Sequence, residues 1–288
     1  MRRTNNVKRA VLGIFLIVFV SASWAEREER TTIIKETGHP YGGTCEKISS
    51  HDAILLASYV ISGEQFRLNR GASVCKHNVE LLGNENILKI STRRGDGIRS
   101  SWNDISEGNR RRFEFMFDRS IRINTGFRLE YSVRITQDNT FLHIPEHQYY
   151  WYWITQLHPG CNNCSPTMVV NVNRFKGISA FDYLIQDSSE FGAVKTNYTP
   201  EMLGTWVKVA IEFKPSHKNG FRRLWVNDQL VVNENNVQTI FGRSSNTFDL
   251  KFGIYQGTAK GDKNADYPSI RQDNQQSIQL KDFHFKRI

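Results

Sequence analysis

Apolar and polar side chains alternate with a period of two along most of the second half of the chain. The clearest case is residues 127–135, in which every odd position is apolar and every even position is polar. This alternation predicts a half-buried β-strand, because successive side chains of a strand point to opposite faces of the sheet. Similar segments, separated by turn-forming residues, occur at 168–173, 206–213, 248–255 and 278–285.

Two further segments predict strands, and a third is ambiguous. Residues 224–232 are typical of a hairpin that turns at Asn227-Asp228, and residues 87–91 predict another strand. Residues 54–60 fit a short helix or a buried strand, because periodicity does not distinguish the two over so few positions. Helical periodicity over three turns is nearly absent, so the sequence predicts an all-β fold, an antiparallel sandwich or barrel.

The N-terminus has the three parts of a signal peptide. Four basic residues precede or flank the start of an apolar run at 11–20, and small residues follow at Ser23 and Ala25. The run is shorter than the about 20 residues that a membrane-spanning helix needs, and an uncleaved N-terminal anchor is the alternative. We therefore expect residues 1–25 to be removed from a secreted or periplasmic protein that has no membrane contact after cleavage.

The exported part is predicted to consist of a polar leader at 26–40 and a single domain at 41–288, since no repeat or linker interrupts it. Removing the four basic residues of the signal peptide from 38 leaves 34 against 29 acidic residues, so the net charge falls to about +5. This charge favours an anionic partner. Nucleic acid is not expected, because residues 110–112 are the one basic cluster that stands out. We expect a monomer.

Four cysteines remain after export, namely Cys45, Cys75, Cys161 and Cys164. In an oxidising compartment an even number predicts two disulfides, Cys45–Cys75 and Cys161–Cys164. A zinc site is the alternative, although the chain has one Cys-x-x-Cys pair and no second pair at matching spacing.

Candidate chemistry begins at five consecutive aromatic residues, 149–153, which lead into Gln156 and His158. In a strand these two side chains emerge on the same face, about 7 Å apart. An amide beside an imidazole, flanked by aromatic rings, could hold a polar ring and act on it. Alternate rings of the aromatic run are expected to be buried, and the others to face a groove. The predicted substrate-binding residues are Tyr149, Trp151, Trp153, His147 and Asn171.

Two other short motifs lie far away in the sequence. In the first, Arg112 and Glu114 share a strand face, as functional groups or simply as an exposed ion pair. In the second, Lys251, Gly253 and Tyr255 share a face, and the glycine leaves room for a group to approach.

The ordered set Arg-x-Glu, Gln-x-His and Lys-x-Gly-x-Tyr resembles the heparin lyase I-like polysaccharide lyases, and is similar to the related glucuronan and alginate lyases. Supporting pieces are a Gly-x-Trp strand at 204–206 and a Gly-x-x-x-x-Trp-x-Asn strand at 220–227. The resemblance covers residues 85–288 and implies a concanavalin-like jelly-roll sandwich. It also implies a polysaccharide lyase that acts on an acidic polysaccharide.

Three positions depart from the patterns of these families. Met116 stands where alginate lyases carry a further Arg, and Asp249 stands where they carry a Tyr. Leu157 replaces the Trp that heparin lyases usually have between Gln and His. The first two departures disfavour alginate as the substrate.

The chemistry that this residue set implies is β-elimination on a uronic acid. Arg112 and Gln156 would neutralise the carboxylate, because a guanidinium binds it bidentately and an amide donates to it. His158 is the candidate base, since its unperturbed pKa is near neutral, and Tyr255 is the candidate acid to the leaving oxygen. Lys251 would assist Tyr255 or bind an acidic group. Whether Tyr255 serves as both acid and base depends on the stereochemistry at C5.

Two other functional classes fit parts of the sequence. A glycoside hydrolase on such a sandwich would need two carboxylates, typically in Glu-x-Asp-x-Glu, and no Glu here is followed two residues later by Asp. A non-catalytic carbohydrate-binding module would keep the aromatic and basic residues without needing His158 and Tyr255 together. No cofactor is required by the elimination, and a structural Ca²⁺ is possible, with Asp282 as one candidate ligand.

Overall fold

The computed structural model describes residues 46–62, 66–69, 74–83, 86–93, 110–117, 121–136, 150–159, 166–175, 178–187, 190–195, 204–240, 247–258 and 275–288. Within these ranges only the backbone is described for residues 110–111, 150–151, 172–175, 178–187, 190–195 and 257–258. All described residues belong to one compact unit, Thr32–Ile288. The predicted signal peptide 1–25 and the leader 26–40 lie outside the described residues.

The ambiguous segment at 54–60 is largely helical. Helix α1 spans Ser50–Ser58, and Ser49 caps it by accepting a hydrogen bond from the Asp52 backbone N–H at 3.0 Å. A serine N-cap with an acidic residue three positions later is a helix-start signal that outweighs the local apolar content. A short 3-10 helix follows at Lys76–Asn78.

The remaining elements in the described part of the chain are sixteen strands. They are β1 Ile61–Ser62, β2 Phe66–Leu68, β3 Val79–Leu82, β4 Ile87–Thr92, β5 Arg110–Phe117, β6 Ile121–Arg122, β7 Phe127–Ile135, β8 Tyr150–Pro159, β9 Met168–Phe175, β10 Ile178–Asp187, β11 Glu190–Lys195, β12 Val207–Lys214, β13 Gly220–Val226, β14 Gln229–Val237, β15 Thr247–Thr258 and β16 Gln276–Arg287.

The strands form two sheets. Sheet one has the order β14-β13-β12-β7-β16-β4-β3, with β1 beside β16, and sheet two has the order β11-β10-β9-β8-β15-β5-β2, with β6 beside β15. Every pairing is antiparallel except that of β1 with β16. The predicted all-β antiparallel sandwich is confirmed.

Aromatic side chains fill the space between the sheets. Phe252 of sheet two packs against Phe283 of sheet one with ring centroids 4.7 Å apart, and Phe117 packs against Phe285 at 4.5 Å. A buried hydrogen bond of 2.7 Å also joins the Tyr131 hydroxyl to Thr155 Oγ1 across the core. The strict alternation predicted at 127–135 is observed, since each odd position of β7 is buried.

The predicted hairpin is also confirmed. Strands β13 and β14 are joined at Asn227 and Asp228, which have φ angles of 48° and 63°. Two consecutive positive φ angles match the right-handed twist of the flanking strands, and Asn and Asp tolerate them better than most residues.

Several sequence predictions are only partly covered by the described residues. Cys75 is buried and is not a free thiol, while Cys45, Cys161 and Cys164 lie outside these residues, so the predicted disulfide pairing stays a prediction. No helix in the ranges described above is long and apolar enough to cross a membrane. Those same ranges hold no group of three His, Cys, Asp or Glu side chains that could bind a metal ion. Asp282 accepts a hydrogen bond from Ser132 Oγ at 3.2 Å, and its proposed part in a calcium site stays a prediction.

Candidate active site

The five predicted catalytic residues lie on one face of sheet two, the face that points away from sheet one. We call it the site face and define it by Arg112, Glu114, Gln156, His158, Lys251 and Tyr255. Strand pairing brings these residues together, because Tyr255 lies opposite Arg112 on β5 and Lys251 lies opposite Gln156 on β8. His158 lies opposite Asp249 in the same ladder. Residues from three distant parts of the sequence therefore meet on three adjacent strands.

A bulge in β8 aligns the aromatic run with the Gln-x-His motif. The register of β8 shifts between Trp153 and Thr155 relative to β9, so Ile154 is the extra residue. Trp153 and Gln156 are three positions apart, yet both pair with site-face residues, whereas regular alternation would place them on opposite faces. Tyr152 is fully buried on the core side.

Asn171 supports this bulge. Its side chain is buried, and its Oδ1 accepts a hydrogen bond of 2.9 Å from the backbone N–H of Tyr152. This contact satisfies a backbone donor that the bulge displaces from the ladder. The predicted contact of Asn171 with substrate stays a prediction. The side chain of Trp151 and all of His147 and Tyr149 lie outside what the structure describes.

A buried carboxylate, that of Glu114, is the centre of the polar network. Glu114 has no exposed surface, and its Oε1 accepts a hydrogen bond from Gln156 Nε2. Its Oε2 accepts a hydrogen bond of 3.2 Å from Asn69 Nδ2 and lies 3.9 Å from Arg112 Nε. A buried charge is tolerated only when it is paired and hydrogen-bonded, and here both conditions are met.

Arg112 also covers the ring of Tyr255. Its guanidinium carbon lies 3.6 Å from the ring centroid, and Trp153 packs edge-on against the same ring at 5.2 Å with an interplanar angle of 79°. A cation over an aromatic face is attracted to the ring quadrupole. Together the two contacts fix the phenol ring on the site face.

The imidazole of His158 has a defined tautomer. Its Nδ1 lies 2.6 Å from the carbonyl oxygen of Pro159, and a carbonyl can only accept, so Nδ1 carries the proton. The neutral ring then has its lone pair on Nε2, as a general base requires. His158 is half-buried, while Gln156 beside it is 3% exposed.

Lys251 is held in the same network. Burial lowers the pKa of its ammonium group, the attraction of Glu114 and Asp249 opposes this shift, and the repulsion of Arg112 adds to it. A lysine in this position can lose its proton more readily than an exposed one.

This lowered pKa predicts a pH dependence of stability. The unfolded chain binds more protons than the folded one between the lowered pKa and the ordinary value of 10.5. The contribution of Lys251 to the free energy of unfolding is therefore fully present above its ordinary pKa. This contribution is lost as the pH falls through the lowered pKa of the folded state. We expect the free energy of unfolding to rise with pH in this window more steeply in the wild type than in Lys251→Met.

Urea denaturation at a series of alkaline pH values measures this difference. Lys218→Met, at an exposed turn, controls for the loss of a lysine. Parallel pH curves for the wild type and Lys251→Met would contradict the assignment of a lowered pKa to Lys251.

The structure differs from the sequence predictions at Gly253 and adds Asn69 to the site. Gly253 has a φ of 141°, and a Cβ there would overlap the Phe113 carbonyl oxygen, so the room beside it is taken by β5 and not by a ligand. Asn69 follows the short strand β2 and reaches Glu114 only through the fold. No sequence pattern surrounds Asn69, so nothing along the chain indicated its place in the site.

Comparison with known proteins agrees with this fold. The polysaccharide lyase family model matches residues 50–275, which is most of the chain. No curated protein sequence matches significantly.

Three solved structures are similar in fold. Alginate lyase AlyC3 has a TM-score of 0.52 at 10% identity, over 74% of this chain and 79% of that one. A mutant of alginate lyase Aly36B bound to an alginate trisaccharide has a TM-score of 0.50 at 11% identity, over 84% and 93%. Endo-β-1,4-glucuronan lyase from the fungus Trichoderma reesei has a TM-score of 0.46 at 14% identity, over 79% and 90%.

The family match spans all three motifs, and the motifs lie together on one sheet face of a two-sheet β-sandwich. The resemblance seen in the sequence to polysaccharide lyases is thereby confirmed at the level of the family. This chain belongs to the polysaccharide lyase family.

Proposed function

We propose that this lyase cleaves a uronate-containing acidic polysaccharide by β-elimination on the site face. The observation that carries the proposal is the grouping of a guanidinium and an amide beside an imidazole and a phenol. Arg112 and Gln156 are both anchored on the buried carboxylate of Glu114, and His158 and Tyr255 flank them on β8 and β15. Such a set supplies each function that elimination from a uronate requires.

The first function is neutralising the substrate carboxylate. The C5 proton of a uronate is weakly acidic because an adjacent carboxylate resists further negative charge. Arg112 supplies a positive charge and Gln156 an N–H donor, and hydrogen bonds to the carboxylate strengthen as charge moves onto it in the transition state. Both groups are nearly buried, where such interactions are stronger than in water.

The second function is proton transfer. His158 would remove the C5 proton through Nε2, since Nδ1–H is directed to the Pro159 carbonyl. Tyr255 would protonate the leaving glycosidic oxygen, because its ring is held by Arg112 and Trp153 while its hydroxyl is a donor. The guanidinium against the ring would also stabilise negative charge on the phenol oxygen between turnovers. No cofactor is needed for these steps.

The chemistry of the ligands bound by similar structures supports a uronate substrate. AlyC3 has been crystallised with dimannuronate and Aly36B with an alginate trisaccharide. In this chain Met116 is buried on the site face at the position where alginate lyases carry a further Arg. A missing cation there favours a polyuronate other than alginate. Export through the N-terminal segment is part of the same proposal.

The test is incubation of the purified mature protein with a panel of polyuronates and glycosaminoglycans. Elimination creates a double bond between C4 and C5 of the new end sugar, and its ultraviolet absorbance reports the reaction. We expect absorbance to rise with at least one uronate polymer. A flat absorbance with measurable glycan binding would overturn the proposal in favour of a binding module, and new reducing ends without absorbance would overturn it in favour of a hydrolase.

A further inference from the structure

Glu114 lies below the groups that would contact substrate, and its own partners are divided between two oxygens. Oε1 accepts from Gln156 Nε2 and Oε2 accepts from Asn69 Nδ2 at 3.2 Å. Arg112 Nε, at 3.9 Å, is an ion-pair partner beyond hydrogen-bond distance. The orientation of the carboxylate therefore depends on one amide on each side.

The bond to Glu114 selects one of the two flips of the Gln156 amide. If the amide turned over, its oxygen would face a buried carboxylate, which is repulsive. With Nε2 held at Glu114, the second N–H of that nitrogen is the group available to a substrate carboxylate. The flip of Gln156 is thus determined by the position of the Glu114 oxygens.

Asn69 holds Glu114 from the opposite side. It is 8% exposed, and its backbone N–H also donates to the Glu114 carbonyl oxygen at 2.9 Å. Both the main chain and the side chain of Asn69 are therefore bonded to the same residue. The backbone bond fixes the position of Asn69 beside Glu114, and the side-chain bond then leaves the Glu114 carboxylate little room for an alternative rotamer.

We propose that Asn69 is a positioning residue of the lyase reaction, which acts through Glu114 to hold the Gln156 amide with its N–H toward the substrate carboxylate. The inference rests on the carboxylate-binding role proposed for Gln156. Asn69 does not touch the substrate in this arrangement. Its contribution is to keep the donor end of Gln156 in place as negative charge builds on the substrate.

Asn69→Ala removes the amide and leaves Oε2 with Arg112 alone. Because the contact of Gln156 is stronger in the transition state than in the ground state, we expect kcat to fall about tenfold and KM to change little. Asn78→Ala is the matched control, since Asn78 is also a buried Asn with hydrogen bonds to Cys75 N–H and the Ser91 carbonyl. That variant should lose thermal stability and keep the wild-type kcat.

Asn69→Asp keeps the size and shape of the side chain. Its pH–kcat profile distinguishes a positioning role from a purely structural one. Two carboxyl groups would then face each other, so one of them binds a proton more tightly than usual. The protonated pair restores the hydrogen bond, whereas the doubly ionised pair repels. We expect a pH–kcat profile with an added fall on the alkaline side of that shared titration, absent from the wild type and from Asn69→Ala.

The charged groups that surround this pair determine where the fall occurs. Arg112 on β5 and Lys251 on β15 favour the ionised pair, as does Arg67, which precedes Asn69 by two residues on β2. Asp249 on β15, which interacts with Lys251, opposes it. All of these groups are unchanged in the variant, so the comparison isolates position 69.

The experiment measures kcat, KM and the pH profile of Asn69→Ala, Asn69→Asp, Asn78→Ala and Gln156→Ala on the polyuronate that the wild type cleaves. Wild-type kcat and pH profile in both Asn69 variants, with activity lost in Gln156→Ala, would overturn this inference and leave the proposed function intact. A fully active Gln156→Ala enzyme would overturn both roles. If Asn69→Ala does not fold, the pH–kcat profile of Asn69→Asp alone tests the positioning role of Asn69.

Discussion

Replacing Tyr255 by phenylalanine is expected to lower kcat by about 10²–10⁴-fold, the range typical for loss of a general acid or base. The substitution removes only the hydroxyl. The ring contacts with Arg112 and Trp153 do not involve that group, so the site face should keep its geometry and KM should change little. The measurement is the initial rate of double-bond formation with the cleaved polyuronate.

Tyr59→Phe is the matched control, because Tyr59 is 48% exposed, follows helix α1 and belongs to no strand of either sheet. It should keep the wild-type rate. His158→Ala should lose a comparable factor, since the proposed mechanism divides two proton transfers between His158 and Tyr255. Activity retained in Tyr255→Phe within a few-fold would remove Tyr255 from the chemistry and assign the acid role to another group on the site face.

The architecture followed from the sequence because burial on one face of a sheet imposes a period of two. Strand β7 and the β13–β14 hairpin match the predicted pattern closely, since each odd position of β7 is buried and the turn lies at Asn227 and Asp228. Helix α1 could not be decided from periodicity over a few apolar residues. Its N-cap, Ser49, was the better signal.

The sequence predicted which residues lie in the site, but not all of the contacts that join them. The alternation rule placed Gln156 with His158 and Arg112 with Glu114 correctly, because each pair is two residues apart on one strand. It could not place Trp153 with Gln156, since the bulge at Ile154 breaks the period of two and shows only in the pairing of β8 with β9. Nor could it bring Asn69 to Glu114, because that contact joins residues 45 positions apart.

Replacing Gly253 by alanine is expected to have the largest effect on stability. Gly253 has a φ of 141°, a value that L-residues rarely adopt, and a Cβ would overlap the Phe113 carbonyl oxygen and lie 2.8 Å from Glu114 Cα. Both contacts are with the backbone of β5, so no side chain can move aside. Backbone strain and overpacking together should lower the free energy of unfolding by about 3–5 kcal/mol.

Gly83→Ala is the control for a glycine with a positive φ and no clash. Gly83 has a φ of 56°, in the left-handed region, and a Cβ there would meet nothing within 4 Å, so the variant carries only left-handed strain and should lose about 1 kcal/mol. Urea denaturation of both variants gives the comparison. Because β5 and β15 carry Arg112 and Tyr255 on adjacent strands, any folded Gly253→Ala protein should also show a lower kcat. Equal losses of stability in the two variants would mean that β5 can move away from β15 at little cost, and that the close approach of these strands does not hold the site together.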